Sequence, residues 1–299
     1  MLYQATHVTR YLYDQPVSQC LSEARLTPRN LPGQVLHQSR LQVEPEPALV
    51  QNRKDYFGND VTTFAVFRTH DRFSATATSV VEVHPRPIVD APETTWEDTR
   101  DRLASHSGPT LLEAYEFVFD SPFVSAAPEL ARYAKSSFAP GRPLVEAITE
   151  LSHRLHAEFR YEPKSTSIEM PLLTVLENRR GVCQDFAHVM IGALRSLRLA
   201  ARYVSGYLRS GATYQGADAS HAWVSVFVPG AGWLDFDPTN DVRPSEGHVT
   251  LGWGRDYGDV TPVKGIALGG GTQIVEVEVR VEALNPPSNP EALSNWVTS

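Results

Sequence analysis

The sequence predicts an α+β protein: a sandwich-like β domain at the N-terminal end, then a core of helices packed on an antiparallel sheet. Three features predict it. Residues 1–90 hold short runs of alternating apolar and polar residues separated by turn chemistry. Residues 143–197 place apolar side chains at three- and four-residue steps, the period of one helix face. Residues 202–237 return to strand-like runs joined by Gly-rich turns. The expected divisions are a β domain over 1–90, a linker over 91–110, a core over 111–285 and a tail over 286–299.

In the β domain, strands are expected over Gln38–Val43, Val61–Phe67 and Phe73–Val83. The turns between them are Thr27-Pro28-Arg29-Asn30-Leu31-Pro32-Gly33 and Gly58-Asn59-Asp60. His84 to Pro92 packs three prolines into nine residues, which reads as a stiff linker. In the core, Pro143 suits a first helical position, and Leu144, Ile148, Leu151 and Leu155 form one apolar face behind it. A polar loop, Lys164–Glu169, and a short helix over Pro171–Leu176 follow. From Cys183 onward Phe186, Ala187, Met190, Ile191, Leu194 and Leu197 have helical spacing and predict a central, buried helix. Arg202–Leu208, His221–Val228 and Trp233–Asp237 read as strands, the last two as a hairpin turned by Pro229-Gly230-Ala231-Gly232. Asp241–Gly271 looks irregular, with a candidate cleft-lining loop at Gly254–Val260. Val275, Val277, Val279 and Val281 alternate with charged residues, the pattern of a half-buried strand.

The bulk properties exclude several functions. The chain has 299 residues, 41% of them hydrophobic, and a formal net charge of -8, so nucleic acid is not an expected partner. No apolar run is long enough to span a membrane, and the first residues show no secretory pattern. The two cysteines, Cys20 and Cys183, cannot make a disulfide framework, and a reducing, cytoplasmic setting is expected. No Cys-x-x-Cys, His-Glu-x-x-His or cofactor fingerprint is present, so no metal or cofactor is expected.

An arbitrary cysteine is most often a small buried hydrophobe. Cys183 differs in what surrounds it. It follows Gly181 and opens a helix, whose N-terminal N–H groups and dipole favour a thiolate. A thiolate nucleophile also needs a histidine from another element, and that histidine needs an orienting acceptor. His221 suits best among the ten histidines, because it begins a strand after the flexible Ser210–Ser220 loop. His188 lies on the same helix as Cys183 but on another face, and His248 ranks a distant second in the irregular segment. If Val228 pairs with Gly232, then Trp223 pairs with Asp237, and Asp237 becomes the diagonal neighbour of His221 on one face. Asp235 would share that face farther off, and a one-residue slip would separate His221 from Asp237.

The order Cys, His, Asp on helix, strand and strand resembles the transglutaminase-like superfamily, in particular the transglutaminase-like cysteine proteases of bacteria with an N-terminal β region. The residues that carry the likeness are Arg180-Gly181-Val182-Cys183-Gln184-Asp185-Phe186-Ala187-His188, Ala201 to Tyr207, Ser220-His221-Ala222-Trp223 and Gly232 to Asn240. Glu23 to Pro28 and Tyr56-Phe57-Gly58-Asn59 carry it more loosely. The resemblance implies a papain-like core with Cys183 as nucleophile, His221 as base and Asp237 as acid. Tyr161 and Gln184 are candidates for a second oxyanion donor beside the Cys183 N–H, and Asp185 for an anchor of the active-site loops or a favourable charge in the first helical turn. Animal transglutaminases carry Gly-Gln-Cys-Trp where this chain has Gly181-Val182-Cys183-Gln184, which argues against protein cross-linking. The expected activity is therefore thioester-forming hydrolysis of an amide in a peptide or protein, with glutamine deamidation or acyl transfer to an amine as alternatives and a non-catalytic scaffold as the rival of another class. The resemblance also implies gene-cluster partners of the ATP-grasp type.

Overall fold

Alternation that starts at Leu2 breaks around Asp14-Gln15-Pro16, yet the chain folds the whole stretch to Ala24 into one strand, β1 (Leu2–Ala24). Tyr3, Ala5, His7 and Thr9 are buried along it, two residues apart, as the strand period requires. The computed structural model describes residues 1–85, 93–163, 170–211 and 214–285. The expected loop at 164–169, the tail at 286–299 and most of the Pro-rich stretch (86–92) lie outside them.

β1 organises a seven-stranded sheet with β2 (Gln34–Glu44), β3 (Leu49–Lys54), β4 (Asp60–Val66) and β5 (His70–Val83), in the order β2-β5-β1-β4-β3. Its first half pairs with β5 and its second half with β4, with an irregularity between Leu12 and Val17. Pro16, which has no N–H to give a ladder, sits in that irregularity. Val17, Cys20, Phe64, Phe73, Ala75 and Val263 form a buried cluster of their own on this sheet. The free side of β1 is closed by two late strands, β12 (Val263–Gly269) and β13 (Gln273–Leu284). Gly269, Gly270 and Gly271, all at positive φ, carry the turn between them past the kink in β1.

Two expected boundaries change as a result. The core does not run to 285: residues 263–284 belong to the N-terminal sheet, because β1 has two edges and β4 and β5 fill only one. Nor is 91–110 a linker. It holds α1 (Trp96–Ala104), N-capped by Thr95 Oγ1, which accepts the Asp98 N–H at 3.1 Å, and the start of α2 (Pro109–Tyr115). Leu103 and Ala114 are fully buried against Phe117, Val118, Ala200 and Phe227. The apolar positions of this stretch are too few and too widely spaced for a periodicity to stand out.

The core then runs through α3 (Pro128–Lys135), α4 (Leu144–Glu158), β6 (Arg160–Tyr161), α5 (Leu172–Asn178), β7 (Arg180–Gly181) and α6 (Cys183–Ser196). It continues in β8 (Ala201–Leu208), β9 (His221–Val228), β10 (Gly232–Phe236) and β11 (His248–Gly254), a four-stranded antiparallel sheet ordered β10-β9-β8-β11. The irregular segment expected over 241–271 therefore contains β11 and β12. β11 hides from pattern reading because it is buried throughout except at Trp253, so its sequence does not alternate. α6 is the central helix that was expected: Phe186, Val189, Met190, Ile191 and Leu194 pack between α3, α4 and the sheet. Burial of each such side chain stabilises the fold by roughly 1.5–3 kcal/mol.

The β region grips the core sheet through β11. Gln34 imitates a neighbouring strand, its Nε2 donating to Thr250 O at 2.8 Å and its Oε1 accepting Thr250 N–H at 2.8 Å. Asn59 does the same to Trp253, at 2.8 Å and 3.0 Å. A side chain at Gly252 would come within 2.6 Å of the Asn59 amide oxygen, so glycine is needed there. β13 also holds the segment before β9: Val279 N–H donates to Asp218 O at 3.1 Å, and Ser210 N–H to Val281 O at 3.0 Å. No helix among the described residues is long and apolar enough to cross a membrane.

Candidate active site

Three local structures bring the site together. The first is the start of α6. The Asp185 carboxylate folds back to accept the Val182 N–H at 2.8 Å, which satisfies one donor the helix end leaves open. Gly181 makes room for it, since a Cβ there would lie 2.4 Å from Asp185 Oδ2. Asp185 thereby ties the residue before Cys183 to the first turn of α6. Cys183 is 8% exposed, and its Sγ lies 3.9 Å from the Ser220 carbonyl, the residue just before β9.

The second is the hairpin of β9 and β10. Gly232 pairs with Val228 and Phe236 with Val224, which is the expected register, and the next step carries Asp237 opposite Trp223. His221 Nε2 and Asp237 Oδ2 meet at 2.8 Å, both side chains fully buried. Asp235, the other acid on this face, accepts the Trp223 indole N–H at 3.2 Å instead.

The third is the turn Asp237-Pro238-Thr239-Asn240. Asp237 Oδ1 accepts the backbone N–H groups of Thr239 (3.0 Å) and Asn240 (3.3 Å), and the Asn240 amide donates to Oδ2 at 2.9 Å. Burial alone would raise the pKa of Asp237, but His221 and His248 beside it hold the carboxyl far below its ordinary range. For His221, burial works downward, and the Asp237 carboxylate and then the Cys183 sulfur outweigh it, raising the ring to about 10. Nδ1 of His221 is buried on the far side of the ring from Asp237, and hydrogen bonding with the Cys183 side chain adds to the upward shift.

Tyr161 and Gly216 close over this nitrogen. A Cβ on Gly216, at φ +85°, would stand 3.1 Å from both His221 Nδ1 and the Tyr161 hydroxyl. Tyr161 is fixed by the short parallel pairing of β6 with β7, opposite Gly181. Its pKa rises to about 12 through burial and then the nearby Cys183, so its hydroxyl stays a proton donor at neutral pH. Gln184 is half-buried and makes no side-chain hydrogen bond among the described residues. His188 is structural: buried, its Nε2 accepts the Tyr257 N–H at 3.2 Å, and burial lowers its pKa to about 4. The expected loop at Gly254–Val260 supplies Tyr257 and Val260 to the core beneath the site. Both cysteines are free, so no Cys20–Cys183 bridge forms. A cavity of about 690 Å³, lined by Arg202, Trp233, Asp235 and Trp253, lies away from Cys183, His221 and Asp237. There the Arg202 guanidinium stacks between Trp233 and Trp253, at 4.2 Å and 3.9 Å from the ring centres.

The residue that sequence reasoning undervalued is His248. It opens β11, is 1% exposed, and places Nε2 3.2 Å from Asp237 Oδ2. The signal was weak because the preceding loop carries no strand pattern and the hydrogen bond spans two non-adjacent strands.

Helices on an antiparallel sheet, with a cysteine opening the central helix and a His–Asp pair on the hairpin, define the transglutaminase-like class. Residues 3–82 match the bacterial transglutaminase-like N-terminal region and residues 131–238 match the transglutaminase-like superfamily. An uncharacterized protein of Mycobacterium tuberculosis is 38% identical over 277 residues, covering 88% of this chain and 87% of that one. A protein-glutamine gamma-glutamyltransferase of Pseudomonas aeruginosa is 30% identical over 129 residues, covering 35% of this chain and 19% of that protein. A crystal structure of a proposed cysteine protease from Cytophaga hutchinsonii superposes with a TM-score of 0.76 at 20% identity, covering 97% of this chain and 93% of that one. The chain belongs to the transglutaminase-like superfamily.

Proposed function

We propose that the protein is a thiol-dependent amide hydrolase acting on a peptide or protein, with Cys183 as nucleophile, His221 as base and Asp237 as the orienting acid. The observation that carries this reading is the buried 2.8 Å contact of His221 Nε2 with Asp237, which leaves Nδ1 to the Cys183 side. Nδ1 takes the thiol proton, and the thiolate attacks the amide carbonyl. In this reading N–H groups of the first α6 turn and the Tyr161 hydroxyl receive the oxyanion. The C–N bond breaks as His221 returns the proton to the leaving amine, and a thioester remains on Cys183. Water, deprotonated by His221, then releases the acid and restores the thiol.

A second reading replaces water with an amine, and a glutamine side chain as donor fits the similarity to the Pseudomonas gamma-glutamyltransferase. Mass spectrometry of a peptide library treated with wild type and Cys183→Ala separates these outcomes. Cleaved peptides that need Cys183 support the hydrolase, a one-dalton gain marks deamidation, and amine adducts mark transfer. A non-catalytic scaffold is the rival of another class, and an intact Cys/His/Asp set speaks against it. If wild type modifies nothing and Cys183 resists iodoacetamide at pH 6, the scaffold reading stands instead.

A further inference from the structure

Asp237 serves two histidines, and the second has no part in the mechanism above. Its Oδ2 receives His221 Nε2 at 2.8 Å, the Asn240 amide at 2.9 Å and His248 Nε2 at 3.2 Å. His248 can hold a carboxylate oxygen from this nitrogen only by donating, so Nε2 carries the proton. The two rings approach from different strands. His221 stands on β9 and His248 on β11, with β8 between them in the sheet. Gly206 is the β8 residue at this level, paired with His221 on one side and Thr250 on the other. A side chain on Gly206 would strike Trp223 at 2.3 Å and the Val249 carbonyl at 2.2 Å. The His248 ring is fixed in turn, edge-on to Trp223 at 5.4 Å and beside Tyr214 at 5.5 Å.

We propose that His248 is a positioning residue for the Cys183–His221 pair: its Nε2–H clamps the Asp237 carboxylate so that Oδ2 meets His221 in line. Two oxygens facing five donors leave the carboxylate more than one satisfied orientation. Without His248, Oδ2 is free to turn toward the Asn240 amide and away from His221. A looser His221–Asp237 bond makes Nδ1 a poorer acceptor of the thiol proton, so fewer molecules hold the reactive ion pair. This inference rests on Cys183 and His221 acting as nucleophile and base.

The test uses the rate of iodoacetamide alkylation of Cys183 at pH 7, followed by intact mass in a Cys20→Ala background so that one thiol is counted. His248→Phe keeps a ring against Trp223 and removes the donor. It is expected to slow alkylation about tenfold, the weight of one charge-assisted hydrogen bond. His248→Gln restores an N–H donor without the ring and is expected to alkylate within about threefold of the parent. A wild-type rate for His248→Phe, beside a slow His221→Ala, overturns the clamp and leaves the base assignment standing. Equal losses in His248→Phe and His248→Gln also overturn it, since ring packing would then be the cause. A wild-type rate for His221→Ala overturns the base assignment and the clamp together. Nitrogen-15 NMR of the imidazoles needs no variant: a His248 ring protonated at Nδ1 and bare at Nε2 contradicts the proposal, and protonation at Nε2 supports it.

Discussion

Cys20 and Cys183 are both free and almost equally buried, at 5% and 8% exposed. Their surroundings have little else in common. Cys20 lies mid-strand in β1, opposite Val66 on one side and Ala267 on the other, within the apolar core of the N-terminal sheet. Burial pushes its thiol up, and hydrogen bonding from Val66 and Ser22 offsets this only in part. Cys183 lies at a helix start, behind a residue that Asp185 ties to the first turn, beside a histidine that carries its own carboxylate. Burial does not tell these two thiols apart. The chemistry of the nearest element does, and under the proposed mechanism it separates an inert thiol in a strand core from a nucleophile at a helix N-terminus that faces an imidazole.

The largest test of that contrast is removal of each sulfur. Cys183→Ala is expected to lower turnover by roughly 10⁴-fold or more, and Cys20→Ala to leave it near wild type. The peptide-library assay reads both, and comparable losses would erase the distinction. Next come the two aspartates of the hairpin. Asp237→Asn is expected to cost roughly 10²- to 10⁴-fold in turnover, because an amide no longer holds His221 in its Nε2–H form. Asp235→Asn, whose side chain makes no contact with His221 and still offers an oxygen to the Trp223 indole N–H, should cost less than about tenfold.

A third test is pH. With His221 raised to about 10, the imidazolium persists through neutral pH and is lost as pH rises through that value, so turnover should show an alkaline limb there. Stability should respond at the acid end. His7 and His188 are lowered to about 4 by burial, so the unfolded chain binds protons below about 6.5 that the folded chain refuses. Melting temperature should therefore fall as pH drops from about 6.5 toward 4. A melting curve flat across that window would mean the rings are not buried neutral. The smallest effect belongs to Cys20→Ala, expected to lower stability by about 1 kcal/mol in denaturant unfolding for the lost sulfur contact.

The site was legible where local rules govern. Gly181 before Cys183, the apolar run behind it and the Gly-rich hairpin turn fix the helix start and the strand register, and those two facts bring His221 to Asp237. Three strands of the core sheet showed in their sequence for the same reason. What sequence reading missed depends on distant partners. The length of β1 is hidden from local pattern because it depends on strands paired from distant parts of the chain. β11 is buried on both faces and shows no alternation, which hides His248 from pattern reading. α1 and α2 owe their burial to Ala200 and Phe227, far along the sequence.

The closure of β1 by β12 and β13 bears on how the protein is made. On the ribosome, β1 to β5 emerge first, yet the strands that cover the open edge of β1 follow only after the whole core has been synthesised. A long unpaired edge is a template for other chains, so the nascent protein carries this hazard through most of its synthesis. Chains arrested after residue 262 should therefore aggregate, and adding a synthetic Val263–Leu284 peptide should restore them to solution by occupying that edge.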